Sequence, residues 1–192
     1  MARPRKFQAE TAVAKAMEVF WEKGYAAASP QELGARMGLG RGSLYNAFES
    51  KQGLFECVLR HYHEHEAPKL LALLTRPGPI KERLRALLLA VIETDVADPE
   101  RRGCLAINTA IELAGRDAAA AQLAARMFEQ TEAAFLSLIE EGQRAGEVDA
   151  TRDARELASF LLNNLTGLRV LGKTAEDTTR LTRIVDALLR SF

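Results

Sequence analysis

Apolar residues recur at helical spacing in almost every part of this chain, and that pattern most narrowly limits its fold. In residues 13–21, 84–92 and 181–189 they fall at positions i, i+3, i+4, i+7 and i+8, which is one face of a helix. No stretch shows the sustained apolar–polar alternation of a strand. The sequence therefore predicts an all-α fold of about nine helices.

Glycine and proline residues predict where several of these helices begin and end. Gly24 suits the end of the first helix, and the loop Arg76-Pro77-Gly78-Pro79 precedes a helix that starts near Ile80. Further helices are predicted over residues 50–65, 118–144, 153–171 and 176–190.

The predicted helix over residues 153–171 is apolar on more than one face. A helix of this kind is buried on several sides, and in a small chain a partner subunit is a natural cover for the second face. We therefore expect a homodimer with this helix in its interface, where a charge at Leu161 should break the dimer.

Composition excludes some classes of protein without selecting one. The chain has 192 residues and no net charge, with a small positive excess in residues 1–51. Its longest apolar run, residues 86–92, is far shorter than the ~20 residues of a membrane helix. Cys57 and Cys104 do not make a disulfide framework. These observations predict a cytoplasmic protein that does not span a membrane.

Two short helices joined by a glycine-containing turn are predicted over residues 29–48. Ser29, Pro30 and Glu32 have the spacing of a capping box that starts the first helix. Gly38 suits the left-handed residue that ends it, and Leu39 in the turn is expected to be buried. The second helix, residues 41–48, would bury its apolar side and present polar residues outward. This is a helix-turn-helix, whose second helix enters the major groove of DNA.

The stretch around this motif resembles the N-terminal domain of the TetR/AcrR family of transcription regulators. The resemblance covers roughly residues 7–60, whereas the remaining two thirds is similar only in helix number and length. It departs from the family at Gly40, where a Ser or Thr cap is usual, and at Asn46-Ala47, where an aromatic or His pair is frequent. The matching residues are Phe20, Gly24, Tyr25, Ser29, Leu33, Gly38, Arg41, Gly42, Ser43, Leu44, Tyr45, Phe48, Ser50 and Lys51.

The resemblance implies an N-terminal three-helix DNA-binding domain, residues 1–48, and a C-terminal helical domain for ligand binding and dimerisation, residues 49–192. It implies that Ser29, Tyr45 and Lys51 meet phosphates. The implied residues of the groove-facing side are Arg41, Gly42, Ser43 and Asn46. Arginine can pair with guanine and asparagine with adenine.

Alternative roles stay open for several of these residues. Tyr45 can pack, Arg41 can be a solvated charge, and Ser29 is first of all a helix cap. The basic residues Arg3, Arg5 and Lys6 form either a disordered arm that reaches an adjacent groove or a solubilising tail.

The implied function is a repressor that binds double-stranded operator DNA at a palindromic site as a homodimer. An unknown small-molecule effector would lower its DNA affinity. Two rival interpretations are an all-α enzyme or carrier and a non-specific architectural DNA-binding protein. No GxSxG, P-loop or HExxH motif is present, so neither catalysis nor a cofactor is predicted.

Polar residues on apolar helices are the candidates for an effector site. Cys104, Asn108, Phe128 and Asn163 are the predicted contacts. Glu112 lies on the same helix face as Asn108 and could contribute too. The alternative for these polar residues, which the sequence favours, is a satisfied structural polar group or a dimer contact. Asn164 and Thr166 are further candidates.

Cys57, His61 and His65 are spaced by four residues, which suits a metal pair on a helix. His63 and the nearby glutamates instead indicate a solvated surface, and no metal site is predicted.

Overall fold

The structure is a computed structural model that describes residues 3–191, apart from the side chains of residues 3–8 and of Arg41. Over these residues it contains helices and no strands, which confirms the predicted fold class. Nine of its α-helices have eight residues or more, and α5 has five. The elements are α1 (Arg3–Ala27), α2 (Pro30–Met37), α3 (Arg41–Phe48), α4 (Lys51–His65), α5 (Ala67–Leu71), a short 3-10 helix (Ala72–Thr75), α6 (Ile80–Ala97), α7 (Leu105–Leu113), α8 (Ala118–Arg144), α9 (Ala154–Gly172) and α10 (Thr179–Arg190).

Most predicted helix bounds agree with these. Ser50 caps α4 by accepting a hydrogen bond from the Gly53 amide at 2.9 Å, and α6 begins at Ile80. Helix α10 begins at Thr179, three residues later than predicted. The reason is local, because the Asp177 carboxylate accepts from the Thr179 amide at 2.8 Å and closes a turn there.

Helix α1 is interrupted near its end. Gly24 has φ 79° and ψ 172°, and one more helical turn follows it, up to Ala27. At the other end, Arg3, Arg5 and Lys6 lie in the first turns of α1, so the prediction of a disordered arm is wrong. Their side chains lie outside the described part of the structure.

The chain divides into two compact units that do not follow sequence order. The first contains Met1–Glu66 and Leu105–Ala125, and the second contains Ala67–Cys104 and Arg126–Phe192. Helix α7 therefore packs with α1 and α4, although it comes much later in the chain. These units are defined by contacts within the chain, so they do not test the predicted functional boundary after residue 48, which stays a prediction.

The core of the first unit is aromatic where α1 meets α4. The rings of Phe20 and Phe55 lie 4.8 Å apart, and those of Tyr25 and Phe55 lie 5.0 Å apart. Trp21 and Tyr62 make a further edge-to-face pair at 5.1 Å. These contacts hold α4 along α1 and so fix the support on which the two short helices rest.

The core of the second unit buries one face of α9. Leu161 is fully buried there among residues of its own chain, so the prediction that it lies at a subunit interface is wrong. The opposite face of α9 carries the exposed apolar residues Phe160 and Val170, whose exposed fractions are 43% and 41%.

One buried ion pair crosses this second core. Arg169 Nη1 lies 3.1 Å from Asp95 Oδ1, and both side chains are almost fully covered. Burial raises the pKa of Asp95, and this effect outweighs the lowering of the pKa by Arg169.

Among the described residues, no helix is long and apolar enough to span a membrane.

Candidate nucleic-acid interface

Helix α2 is secured at its start by the residues predicted to cap it. The Ser29 hydroxyl accepts a hydrogen bond from the Glu32 amide at 3.2 Å, and Pro30 occupies the first turn. The Glu32 carboxylate pairs with Lys23 on α1 rather than with the Ser29 amide. Half of the predicted capping box is therefore formed, and the other half is replaced by a link to α1.

The end of α2 shows why two glycines are needed. Gly38 is left-handed, with φ 72°, as predicted. The Leu39 amide donates to the Gly34 carbonyl at 2.9 Å, and a Cβ atom on Gly34 would lie 2.8 Å from the Leu39 carbonyl oxygen. Gly34 thus permits the tight turn, a role that sequence analysis did not assign. Leu39 itself is half-buried rather than buried.

Helix α3 starts without a side-chain cap. Gly40 precedes it in extended conformation (φ −66°, ψ 156°), and no side-chain hydrogen bond caps this end. Leu44 is fully buried and Phe48 is half-buried, as the predicted inner face requires. A Cβ atom on Gly53 of α4 would lie 2.4 Å from the Phe48 carbonyl oxygen, so glycine is needed where α4 passes the end of α3.

The outer face of α3 is polar and open. Gly42, Ser43 and Asn46 are exposed, and Tyr45 is half-buried. A Cβ atom on Gly42 would meet no described atom within 4 Å, so the fold itself does not require glycine there. The Arg41 side chain lies outside the described part of the structure. These positions match the predicted groove-facing set, whose role in DNA contact stays a prediction.

Lys51 lies against the end of α1. Its ammonium is 3.4 Å from the Ala26 carbonyl oxygen and 4.6 Å from the centre of the Tyr25 ring. Burial lowers the pKa of Lys51, with an opposing effect from Glu112. An ammonium has three donors, so a phosphate contact remains compatible with this geometry.

Glu112 performs a structural role that its predicted place in a ligand cavity did not suggest. Its carboxylate accepts from the Tyr25 amide at 2.8 Å and from the Ala26 amide at 2.7 Å. It therefore binds the backbone that follows the break at Gly24. The alternative of a satisfied structural polar group is thus the correct one for this residue.

The four predicted effector contacts have different environments. Cys104, Asn108 and Phe128 are half-buried, whereas Asn163 is exposed on the face of α9 that carries Phe160. An exposed position favours contact with a partner chain over a place in an enclosed cavity. The Asn164 side chain donates to the Phe160 carbonyl within its own helix at 2.8 Å.

The second unit contains a cleft of ≈ 690 Å³ that sequence analysis did not identify. Arg83 is buried and lines this cleft, and it donates to the Leu74 carbonyl at 3.1 Å and to Glu141 at 2.6 Å. Its Nε atom has no hydrogen-bond partner among the described residues. The volume is in the range of small-molecule sites. The cleft is lined by Pro68, Leu71, Ala72, Leu74, Thr75, Arg76, Pro77, Arg83, Gln130, Ala134, Ser137, Leu138 and Glu141.

Two of the three histidines on α4 interact with each other. The rings of His61 and His65 stack at 4.3 Å, and the Cys57 sulfur accepts from Arg60 at 3.3 Å. Across the described residues, no group of three or more His, Cys, Asp or Glu side chains could hold a metal ion.

A capped support helix, a tight turn and a second helix with an open polar face define a DNA-binding regulator of the helix-turn-helix class. Comparison with known proteins agrees. The family model described as "Bacterial regulatory proteins, tetR family" matches residues 12–58, and "Tetracyclin repressor-like, C-terminal domain" matches residues 81–188. The chain belongs to the TetR family. It is a sequence-specific transcription regulator and not an enzyme.

Individual relatives are similar over their full length. An uncharacterized HTH-type transcriptional regulator of Bacillus subtilis, YezE, is 31% identical over 98% of both chains. The HTH-type transcriptional repressor ComR of Escherichia coli is 27% identical over 98% of this chain and 90% of its own. A cysteine mutant of the TetR family regulator CifR, solved with 26 bp double-strand operator DNA, matches with TM-score 0.87 and 32% identity over 99% and 100% of the two chains.

Proposed function

We propose that this protein is a homodimeric repressor that binds a palindromic operator and releases it when a small molecule binds. The observation that carries the proposal is the open polar face of α3, a helix that packs on the capped helix α2. The similar protein ComR is named a repressor, and CifR has been solved on operator DNA. A regulator of this kind acts on the chromosome, which implies the cytoplasm.

The proposed reading residues are those of the sequence prediction. Arg41, Gly42, Ser43 and Asn46 face the major groove, with Gly42 allowing a close approach of the helix backbone. Ser29, Tyr45 and Lys51 lie where phosphates would flank that groove. In this proposal residues 1–48 form the DNA-binding domain, and residues 49–192 bind the partner subunit and the effector while Lys51 at their start also contacts DNA phosphate.

Selection of the purified protein against random duplex DNA at fixed salt tests this function. A dimeric repressor should enrich a palindrome and prefer it to random DNA by ~10³ or more. Equal affinity for all duplexes would indicate an architectural protein instead. No DNA binding by a folded protein would reject the proposal.

A dimer interface on the outer face of α9 is supported by the two exposed apolar residues there. Phe160 and Val170 are spaced along this face, and a Cβ atom on Gly167 between them would meet no described atom within 4 Å. Close approach of a second helix is therefore possible. Phe160→Glu should convert the dimer to a monomer in sedimentation, whereas the buried Leu161 is unsuitable for this test.

Two regions are proposed for the effector. One is α7, which carries the predicted contact Asn108, and the other is the cleft in the second unit that Arg83 lines. The predicted contacts Cys104 and Phe128 belong to the second unit and remain separate predictions. Once a screen finds a molecule that lowers operator affinity, Asn108→Ala and Gln130→Ala should distinguish the two regions. The variant that loses the response identifies the site, and a screen with no active molecule would count against effector control.

A further inference from the structure

The backbone after Gly24 is held by a carboxylate from a distant part of the chain. Gly24 leaves helical geometry, and the amides of Tyr25 and Ala26 both donate to Glu112 on α7. Donation of two amides to one ionised carboxylate gives charge-assisted hydrogen bonds, which are stronger than bonds between neutral groups. The two partners are 87 and 86 residues apart in sequence.

This contact depends on glycine at position 24. A Cβ atom there would lie 2.8 Å from Glu112 Oε2, closer than two such atoms can approach. The positive φ of Gly24 also strains any other residue. Gly24 therefore serves the Glu112 contact as well as the break in α1.

A third element converges on the same two residues. Lys51, the first residue of α4, donates to the Ala26 carbonyl and lies over the Tyr25 ring. Glu112 raises the pKa of Lys51, in opposition to burial, as a negative charge close to an ammonium does. Helix α7 thus holds the amides of Tyr25 and Ala26, and α4 holds the Ala26 carbonyl and the Tyr25 ring.

This segment leads directly into α2. Ala28 follows it with no exposed surface, and Ser29 is the N-cap of α2. A shift of Tyr25 and Ala26 would therefore displace the start of the support helix. The chain enters α7 from Cys104 and leaves the first unit after Ala125, and both neighbouring segments belong to the second unit.

We propose that Glu112 is a positioning residue for operator binding: it holds Tyr25 and Ala26 so that α2 and α3 keep the arrangement that reads DNA. The inference rests on the proposed DNA-binding function. It assigns to α7 a direct role in that function, although α7 lies outside the predicted DNA-binding residues 1–48. Loss of this contact would lower the population of the binding-competent arrangement and weaken operator affinity in proportion.

The test is Glu112→Gln, compared with Glu140→Gln, which removes the same charge from an exposed site on α8. Removal of a negative charge should by itself strengthen DNA binding, so the positioning role predicts the opposite sign. We expect Glu112→Gln to weaken operator binding about tenfold, to lower the thermal unfolding midpoint by only about 2–4 °C because the glutamine oxygen still accepts a hydrogen bond, and to leave the affinity for random DNA nearly unchanged. Glu140→Gln should bind the operator at least as tightly as the wild type does.

Equal operator affinity of the two variants would overturn the inference while leaving the proposed function intact. A wild type without operator preference would overturn both. If Glu112→Gln fails to fold, amide hydrogen exchange of the wild type decides. The Tyr25 and Ala26 amides should be protected, and exchange as fast as that of an open loop would overturn the inference.

Discussion

Helices α2 and α3 have the same length of eight residues but are stabilised in opposite ways. Helix α2 has a side-chain cap from Ser29, a left-handed glycine at its end and the buried residues Leu33, Gly34 and Met37. Helix α3 begins at an uncapped glycine, and Leu44 is the one fully buried residue among its described side chains.

The difference teaches how a DNA-reading helix is maintained. A side chain that caps or packs its own helix is not free to contact a base. Helix α2 uses its residues for local stability, whereas α3 leaves four of the seven residues 42–48 exposed and depends on neighbouring elements. The stability of α3 should therefore depend strongly on its one fully buried residue, Leu44, which anchors the helix. The outer face of α3 should tolerate substitution without loss of folding.

The largest expected effect is at that anchor. Leu44→Ala should lower the free energy of unfolding by about 3 kcal/mol, because it leaves a cavity at a fully buried site. Leu33→Ala on α2 is the matched control, since it removes the same atoms from an equally buried site. Denaturant unfolding should show similar losses, but operator binding should suffer more in Leu44→Ala. The reverse order of binding loss would contradict the comparison.

The outer face of α3 should show the opposite behaviour. Asn46→Ala should weaken binding to the preferred operator by about 1–3 kcal/mol if the amide pairs with a base. The unfolding free energy should stay nearly constant because Asn46 is exposed. Gln122→Ala, an exposed amide on α8, is the control. Unchanged base preference in Asn46→Ala would remove this residue from the reading face.

Loss of a helix cap should lower the free energy of unfolding less than loss of a buried side chain does, and only α2 has a side-chain cap to lose. Ser29→Ala should lower the unfolding free energy by about 1 kcal/mol, because the Glu32 amide loses its acceptor. Ser43→Ala in the first turn of α3 makes the same change at an exposed hydroxyl and should have almost no effect. Equal losses in thermal unfolding would show that the two helix starts do not differ as proposed.

The smallest effect is a gain at the uncapped start of α3. Gly40→Ser should raise the unfolding free energy by about 0.5 kcal/mol, since the extended conformation of Gly40 accepts a serine cap. Gly38→Ser, two residues earlier, should destabilise the protein because Gly38 is left-handed. If both substitutions have the same sign, the missing cap is not what distinguishes α3.

Local features of this fold were predictable from sequence, whereas contacts between distant segments were not. Ser29, Gly38 and the inner residue Leu44 act on neighbours within a few positions, and their residue types encode that action. Glu112 acts on residues more than 80 positions away, and its residue type and helix face do not reveal which backbone it binds. Leu161 was misplaced because an apolar helix face does not reveal whether its own chain or a partner covers it.

The first compact unit contains two separate segments of the chain, and this limits how the DNA-binding part can be joined to another regulator. Because Leu105–Ala125 packs with Met1–Glu66, a chimera joined after residue 66 would give the new DNA reader a foreign α7. Glutamate would then be retained at position 112 only by chance. A transplant that carries both segments together should preserve operator specificity, so the exchangeable module of this protein is discontinuous in its gene.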